Sequence, residues 1–197
     1  MGEALPDREG SLVRRNYLKR DSQSDLDLIA AVNSGDHASF EALYRRYRDW
    51  VVRLAYRFVG DEDLALDVMQ ETFIYFLQKF PGFVLTANLK TFLYPAVKNL
   101  SIAAKRKSVR YQSTAAEQDF LKTLPALNPD DSAQSRLAAA LGHLSEEHRE
   151  TLLLRFVDDL SLAEIAEAMD VPLGTVKSRI HAALSVLRQD PRTKILF

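Results

Sequence analysis

Three sets of side chains in this chain recur at helical spacing and could do chemistry. Lys177, Ser178 and His181, with Arg179 on the flank, put an ammonium, a hydroxyl and an imidazole on one side of a helix with few acids near them. Such donors suit base edges and phosphates in a major groove. Lys90, Tyr94, Lys98, Ser101 and Lys105 interleave lysines with one aromatic along a second helix. That mixture suits a surface that tracks a phosphate backbone while an unpaired base stacks on the ring. Asp67, Gln70 and Glu71 surround Ile74 at i, i+3, i+4, i+7 on a third helix. A catalytic carboxylate pair is unsupported there, because nothing nearby supplies a nucleophile, a metal ligand or an apolar pocket. Either these carboxylates form an ordinary solvated face, or they dock a basic partner helix.

The elements that must position the first set lie between Leu160 and Arg188, LSLAEIAEAMDVPLGTVKSRIHAALSVLR. Leu162, Ile165, Ala166 and Met169 mark one buried face of a short helix. Ser161 and Glu164 form a capping box that fixes its start. Asp170, Val171 and Pro172 end it, since Asp tolerates a left-handed backbone and Pro172 disfavours helix at Val171. The next helix buries Val176, Ile180, Ala183, Leu184 and Leu187. The pattern resembles a helix-turn-helix with Gly174 to Ala183 as recognition helix. The plainer alternative is a corner between two core helices, which would not require GTVKSR.

Upstream, 25–33 reads as a short helix ended by Ser34-Gly35. Asp36 then caps a long helix through Phe40, Leu43, Tyr44, Tyr47, Val51, Leu54, Ala55 and Phe58, which Gly60 stops. A third helix spans 61–79, with Leu64, Ala65, Val68, Met69, Thr72 and Phe76 opposite the acidic stripe. Phe80-Pro81-Gly82 breaks the pattern, and 83–88 is a loop. A fourth helix runs from Leu89 to about Arg110, with Leu89, Leu93, Ala96, Val97, Leu100 and Ala104 inward. Pro95 inside it removes a hydrogen bond, so a kink near Thr91 to Tyr94 is expected. Residues 108–131 are polar and read as a linker with room for a short helix near Phe120-Leu121 and Leu124. Helices at 137–144 and after Ser145 precede the helix-turn-helix, and Asp190-Pro191 ends it. Ile195-Leu196-Phe197 forms a small apolar tail.

These readings give an all-α chain of two small helical domains joined by a flexible linker, the C-terminal one a helix-turn-helix. The expected boundaries are a disordered extension at 1–24, a first domain at 25–110, a linker at 111–131, a second domain at 132–190 and a tail at 191–197.

With 197 residues the chain has room for these cores. It has no cysteine, which excludes disulfides and zinc-thiolate sites. His37, His143, His148 and His181 show no metal spacing, so no cofactor is expected. No apolar run approaches the ~20 residues of a membrane span and no signal-peptide core is present, so a cytoplasmic protein without membrane insertion is expected. The net charge of −1 hides segregation: 81–111 carries six bases and no acid, and the segment after Val171 holds five bases against Asp190. Acidic stretches, 25–80 and 137–170, flank both blocks. Two basic blocks predict two polyanion contacts, with other surfaces left for a protein partner.

SGDHASFEALYRRY, GDEDLALDVMQETF, KTFLYPAVKNLSIAAKRK and LSLAEIAEAMDVPLGTVKSRIHAAL, in this order, resemble bacterial RNA polymerase sigma factors of the extracytoplasmic-function type. The resemblance covers nearly all of the chain after its first two dozen residues. It implies binding to core RNA polymerase and promoter-specific initiation at minus-35 and minus-10 elements. By that resemblance Asp67, Gln70, Glu71 and Ile74 dock on clamp helices of the largest polymerase subunits. Ala87, Asn88, Lys90, Phe92, Tyr94, Lys98, Asn99, Lys105 and Arg106 fall in the minus-10 region. Thr175, Lys177, Ser178, Arg179 and His181 fall on the groove-facing helix. Ala182 stands where many members carry a base, Ala103 where an acid is common, and Phe92 and Pro95 replace a more usual tryptophan and polar residue. Members are often held inactive by a membrane-linked anti-sigma partner, an expectation the resemblance extends to this chain.

Two other classes compete. A stand-alone helix-turn-helix regulator of the response type would need alternating strands and helices upstream, and 25–110 reads as helix only. An enzyme acting on nucleic acid lacks support from any metal cluster, Gly-rich phosphate loop or Ser/His/Asp set.

Overall fold

The structure, a computed structural model, describes residues 23–115 and 133–193. The expectations for 1–22, 116–132 and 194–197 lie outside the described residues. The described residues form helices without strands and divide into two compact units between Tyr111 and Gln112.

In the first unit α1 spans Asp25–Asn33. Ser24 starts it with a capping box: its Oγ accepts from the Asp27 N–H at 3.2 Å, and the Asp27 carboxylate receives the Ser24 N–H. Asp25 ties this end to the next helix, with Arg46 at 2.5 Å and the Tyr47 hydroxyl donating to the same carboxylate. Burial, then the bond to Asp25, pushes the Tyr47 phenol well above its ordinary range.

Helix α2, His37–Val59, starts at Asp36, which accepts from the Ala38 N–H, and ends at Gly60 with φ 73°. That left-handed conformation is cheap only for glycine, so the helix stops where the sequence predicts. Helix α3, Glu62–Leu77, is capped by Asp61. It packs Ala65, Val68, Met69, Thr72, Phe73 and Phe76 inward, and Phe76 meets Phe40, Phe80, Phe83 and Phe92 at ring-centroid distances of 5.2–5.6 Å.

Helix α4, Leu89–Ala115, runs through Pro95 uninterrupted, so any kink there does not break the helix. It also extends past the expected end near Arg110, taking 111–115 from the expected linker. No Gly or Pro stands in YQSTA to stop it. Asn88 caps its start, accepting from the Lys90 N–H at 3.0 Å.

The second unit holds α5 (Ala133–Gly142), α6 (Glu146–Phe156), α7 (Leu162–Met169) and α8 (Leu173–Gln189). Helix α5 starts four residues before the expected Leu137. The apolar period begins only at Leu137, while Ala133, Gln134 and Arg136 are good helix formers without it. Ala140, Leu144, Leu152, Ala183 and Leu187 form a core, with Leu141, Ile180 and Leu184 packed against it. Ser161 and Glu164 make the predicted capping box, with bonds of 3.2 and 2.7 Å. Asp170 ends α7 in the left-handed region at φ 52°. Helix α8 continues six residues past Ala183, which lets Leu187 join the core.

Candidate functional site

Helix α8 shows one buried and one exposed side. Val176, Ala183 and Leu187 are buried, while Lys177, Ser178 and His181 stand in solvent and Thr175 is half-buried. The Ser178 hydroxyl donates to the Thr175 carbonyl at 2.9 Å, so its oxygen remains available as an acceptor. Arg179 turns toward its own unit. Its guanidinium lies 2.7 Å from Glu147 on α6, with the side chain 16% exposed. Pro172 precedes the helix without a side-chain cap, so the first amides face outward at the positive end of the helix dipole. A Cβ added at Gly174 would meet nothing, so internal packing does not require glycine there.

The second basic set differs from the expected open stripe. Tyr94 is 1% exposed and Ser101 is buried. The expectation that the Tyr94 ring lies open for a base is therefore corrected: it packs edge-on to Phe58 of α2, with centroids 6.4 Å apart. The reason is geometric. Tyr94, Val97 and Ser101 follow i, i+3, i+7, so the supposed stripe shares an edge with the core face. The Lys98 ammonium lies 5.9 Å from the Phe58 ring and 5.8 Å from that of Tyr94. Lys105 Nζ is 3.4 Å from the Phe58 carbonyl, at the negative end of α2. Lys90 sits over Trp50 at 5.8 Å. Asn99, Lys105 and Arg106 are exposed; Ala87, Asn88, Lys90, Phe92 and Lys98 are half-buried.

Helix α3 presents Asp67, Gln70, Glu71 and Ile74 outward together. Ile74 is 57% exposed, an apolar side chain ringed by acids and an amide.

Sequence reasoning passed over three features near these surfaces. Tyr75 stacks on Phe92 at 6.1 Å and 12°, with Lys79 4.2 Å above its ring. Position 75 follows Ile74, so a finer reading of the α3 flank could have found it. Val84, 74% exposed, lies in the 83–88 loop. Asn33 binds the start of that loop across 50 residues, which no local pattern reveals.

Comparison with known proteins matches both units. The family "Sigma-70 region 2" matches residues 43–111 and "Sigma-70, region 4" matches 140–189. Among solved structures, the sigma factor RpoE bound to the anti-sigma factor NepR from Bartonella quintana shares the fold, with TM-score 0.56 and 24% identity over 76% of this chain and 94% of that one. CnrH, solved with the cytosolic domain of CnrY, has TM-score 0.62 and 21% identity over 88% of this chain and 97% of that one. Regions 2 and 4 in this order define a sigma factor. The ECF RNA polymerase sigma factor SigW of Bacillus subtilis is 30% identical over 83% of this chain and 95% of its own length. The chain belongs to the extracytoplasmic-function family of RNA polymerase sigma factors. It binds core RNA polymerase and promoter DNA and directs transcription initiation; a region 2 has no place in a stand-alone helix-turn-helix regulator. Sigma factors are generally non-catalytic. Among the described residues no helix is long and apolar enough to cross a membrane.

Proposed function

We propose that the Asp67, Gln70, Glu71 and Ile74 face of α3 docks on the clamp helices of the largest polymerase subunits. The observation that carries this is the division of the helix. Val68, Thr72 and Phe76 are fully buried, while an isoleucine among acids faces solvent on the other side. An apolar side chain ringed by carboxylates suits a basic partner helix that carries an apolar contact. Replacing Asp67, Gln70 and Glu71 together with Ala should abolish co-elution with core polymerase on size exclusion. Stability should stay within ~0.5 kcal/mol of wild type, as for other surface changes. A triple variant that unfolds, or that still co-elutes, removes this assignment.

The two DNA surfaces follow from the same reading. Lys177, Ser178 and His181, with Thr175 beside them, face the minus-35 groove, and Arg179 holds the domain through Glu147. The 83–88 loop and the accessible part of α4 (Ala87, Asn88, Lys90, Phe92, Lys98, Asn99, Lys105 and Arg106) meet the minus-10 element. Tyr94 supports them from within. The chain works in the cytoplasm, beside polymerase and promoter, with no catalytic step of its own. An anti-sigma partner restrains it, a reading supported by the complex of the Bartonella quintana sigma factor that shares its fold.

A further inference from the structure

Asn33 is the last residue of α1, and its side chain leaves the helix to bind the loop after α3. Its Oδ1 accepts from the N–H groups of Gly82 at 2.7 Å and Phe83 at 3.1 Å. Its Nδ2 donates to the Phe83 carbonyl at 2.8 Å. Gly82 sits at φ 103°, a turn in which both N–H groups reach the same oxygen. Of the short side chains only a carboxamide offers an acceptor and a donor at this distance; aspartate lacks the donor, serine the reach. The ring of Phe83 is held separately, 4.7 Å from Phe92 and 5.3 Å from Phe76. Helix α1 is itself fixed, with Leu28, Ile29 and Val32 buried and Asp25 bound to Arg46. At its far end the loop closes on Asn88, whose side chain caps α4. Residues 84–87 are thus strung between two carboxamide anchors.

We propose that Asn33 is a positioning residue for minus-10 recognition: it fixes the path of the 83–88 loop and so sets which base the loop discriminates. This rests on the reading that the loop meets the minus-10 element. A loop free to shift by an ångström would lose base discrimination while keeping phosphate attraction, which is indifferent to sequence.

The test uses holoenzyme reconstituted from core polymerase and the full chain, on a promoter found by sequencing its transcripts. Open-complex formation is measured on every single-base variant of the minus-10 and minus-35 elements. Asn33→Ala should keep core binding within about twofold of wild type and lower discrimination at one or two minus-10 bases by about tenfold, the order of one well-made hydrogen bond. Discrimination at minus-35 should not change. Asn33→Asp, which keeps the two N–H bonds and loses the donor, should give an intermediate loss and serves as the test variant if Asn33→Ala does not fold. Amide exchange at Gly82 and Phe83 should quicken in the Ala variant; unchanged protection there overturns the clamp. A uniform loss at both elements marks Asn33 as merely structural and overturns the proposal. Thr86→Ala and Ala87→Val separate it from the reading beneath it. If they alter minus-10 preference and Asn33→Ala does not, Asn33 has no positioning role while the loop reading stands. If neither they nor Asn33→Ala alters it, the loop reading falls and the positioning role falls with it.

Discussion

On α8, Lys177, Ser178 and His181 stand in solvent while Val176, Ala183 and Leu187 are buried. On α4, lysines at the same kind of spacing fold back: Lys98 lies near two aromatic rings, Lys105 reaches the end of α2, and Tyr94 between them is inside. Both helices carry basic residues at helical period; α8 keeps that face open, whereas α4 buries Tyr94 and Ser101 within it and leaves Lys105 exposed. Helix α8 buries one side in its own unit. Helix α4 has neighbours on two flanks, Phe58 of α2 on one and Tyr75 and Phe76 of α3 on the other. Periodicity says which residues share a face; the number of packed flanks says how much of that face remains.

The sharpest break of this comparison is Tyr94→Ala. A buried aromatic cut to alanine should cost about 3–5 kcal/mol of stability, read by denaturant unfolding of the N-terminal unit. If stability holds and only promoter melting slows, α4 is as open as α8 and the contrast is false. Next come Ser178→Ala and His181→Ala. Each should lose roughly 1–3 kcal/mol of binding at one base position of a minus-35 element, measured over all its single substitutions. A loss spread evenly over every sequence would demote both to backbone contacts.

Arg179 is the residue on α8 that behaves like those of α4. Removing it or Glu147 should destabilise the unit by up to ~1 kcal/mol, and the double variant should cost little more than either, since they form one pair. Additive losses would show that Arg179 does its work elsewhere, on a phosphate. Lys105→Ala gives the smallest effect, about 0.3–1 kcal/mol of stability from the lost interaction with the end of α2, screened by salt. A large fall in the salt slope of promoter binding, with stability unchanged, would return Lys105 to the DNA surface alone.

The helices were legible because their ends are written locally. Asp36, Ser145 and Ser161 cap where the sequence reading puts caps, and Gly60 and Asp170 terminate in the left-handed region; Ser24, expected in the extension, and Asp61, expected inside its helix, turn out to cap as well. The outward face of α3 and the exposed side of α8 were legible for the same reason, each lying opposite a clear apolar period. The end of α4 and the start of α5 were not, because Tyr111 to Ala115 and Ala133 to Arg136 carry neither a stop signal nor a period. Tyr94 was misread because a tyrosine can end in water or in a core, and only the position of Phe58, 36 residues earlier, decides. Asn33 was invisible on the same ground, its partners being Gly82 and Phe83.

Asp159 and Asp170 flank α7 with φ of 61° and 52°, and both are exposed. Glycine would take either conformation without steric cost. Aspartate instead puts a carboxyl group at each corner, and Asp170 stands three residues ahead of Leu173, where α8 begins. Phosphates are alike at every sequence, so on the proposal that α8 enters the minus-35 groove these carboxylates oppose the sequence-independent share of DNA binding and leave base contacts alone. A genome offers about 10⁶–10⁹ competing non-specific sites. Two carboxylates at the corners of one short helix therefore bear on how much of the protein is idle on bulk DNA and how much is available to polymerase.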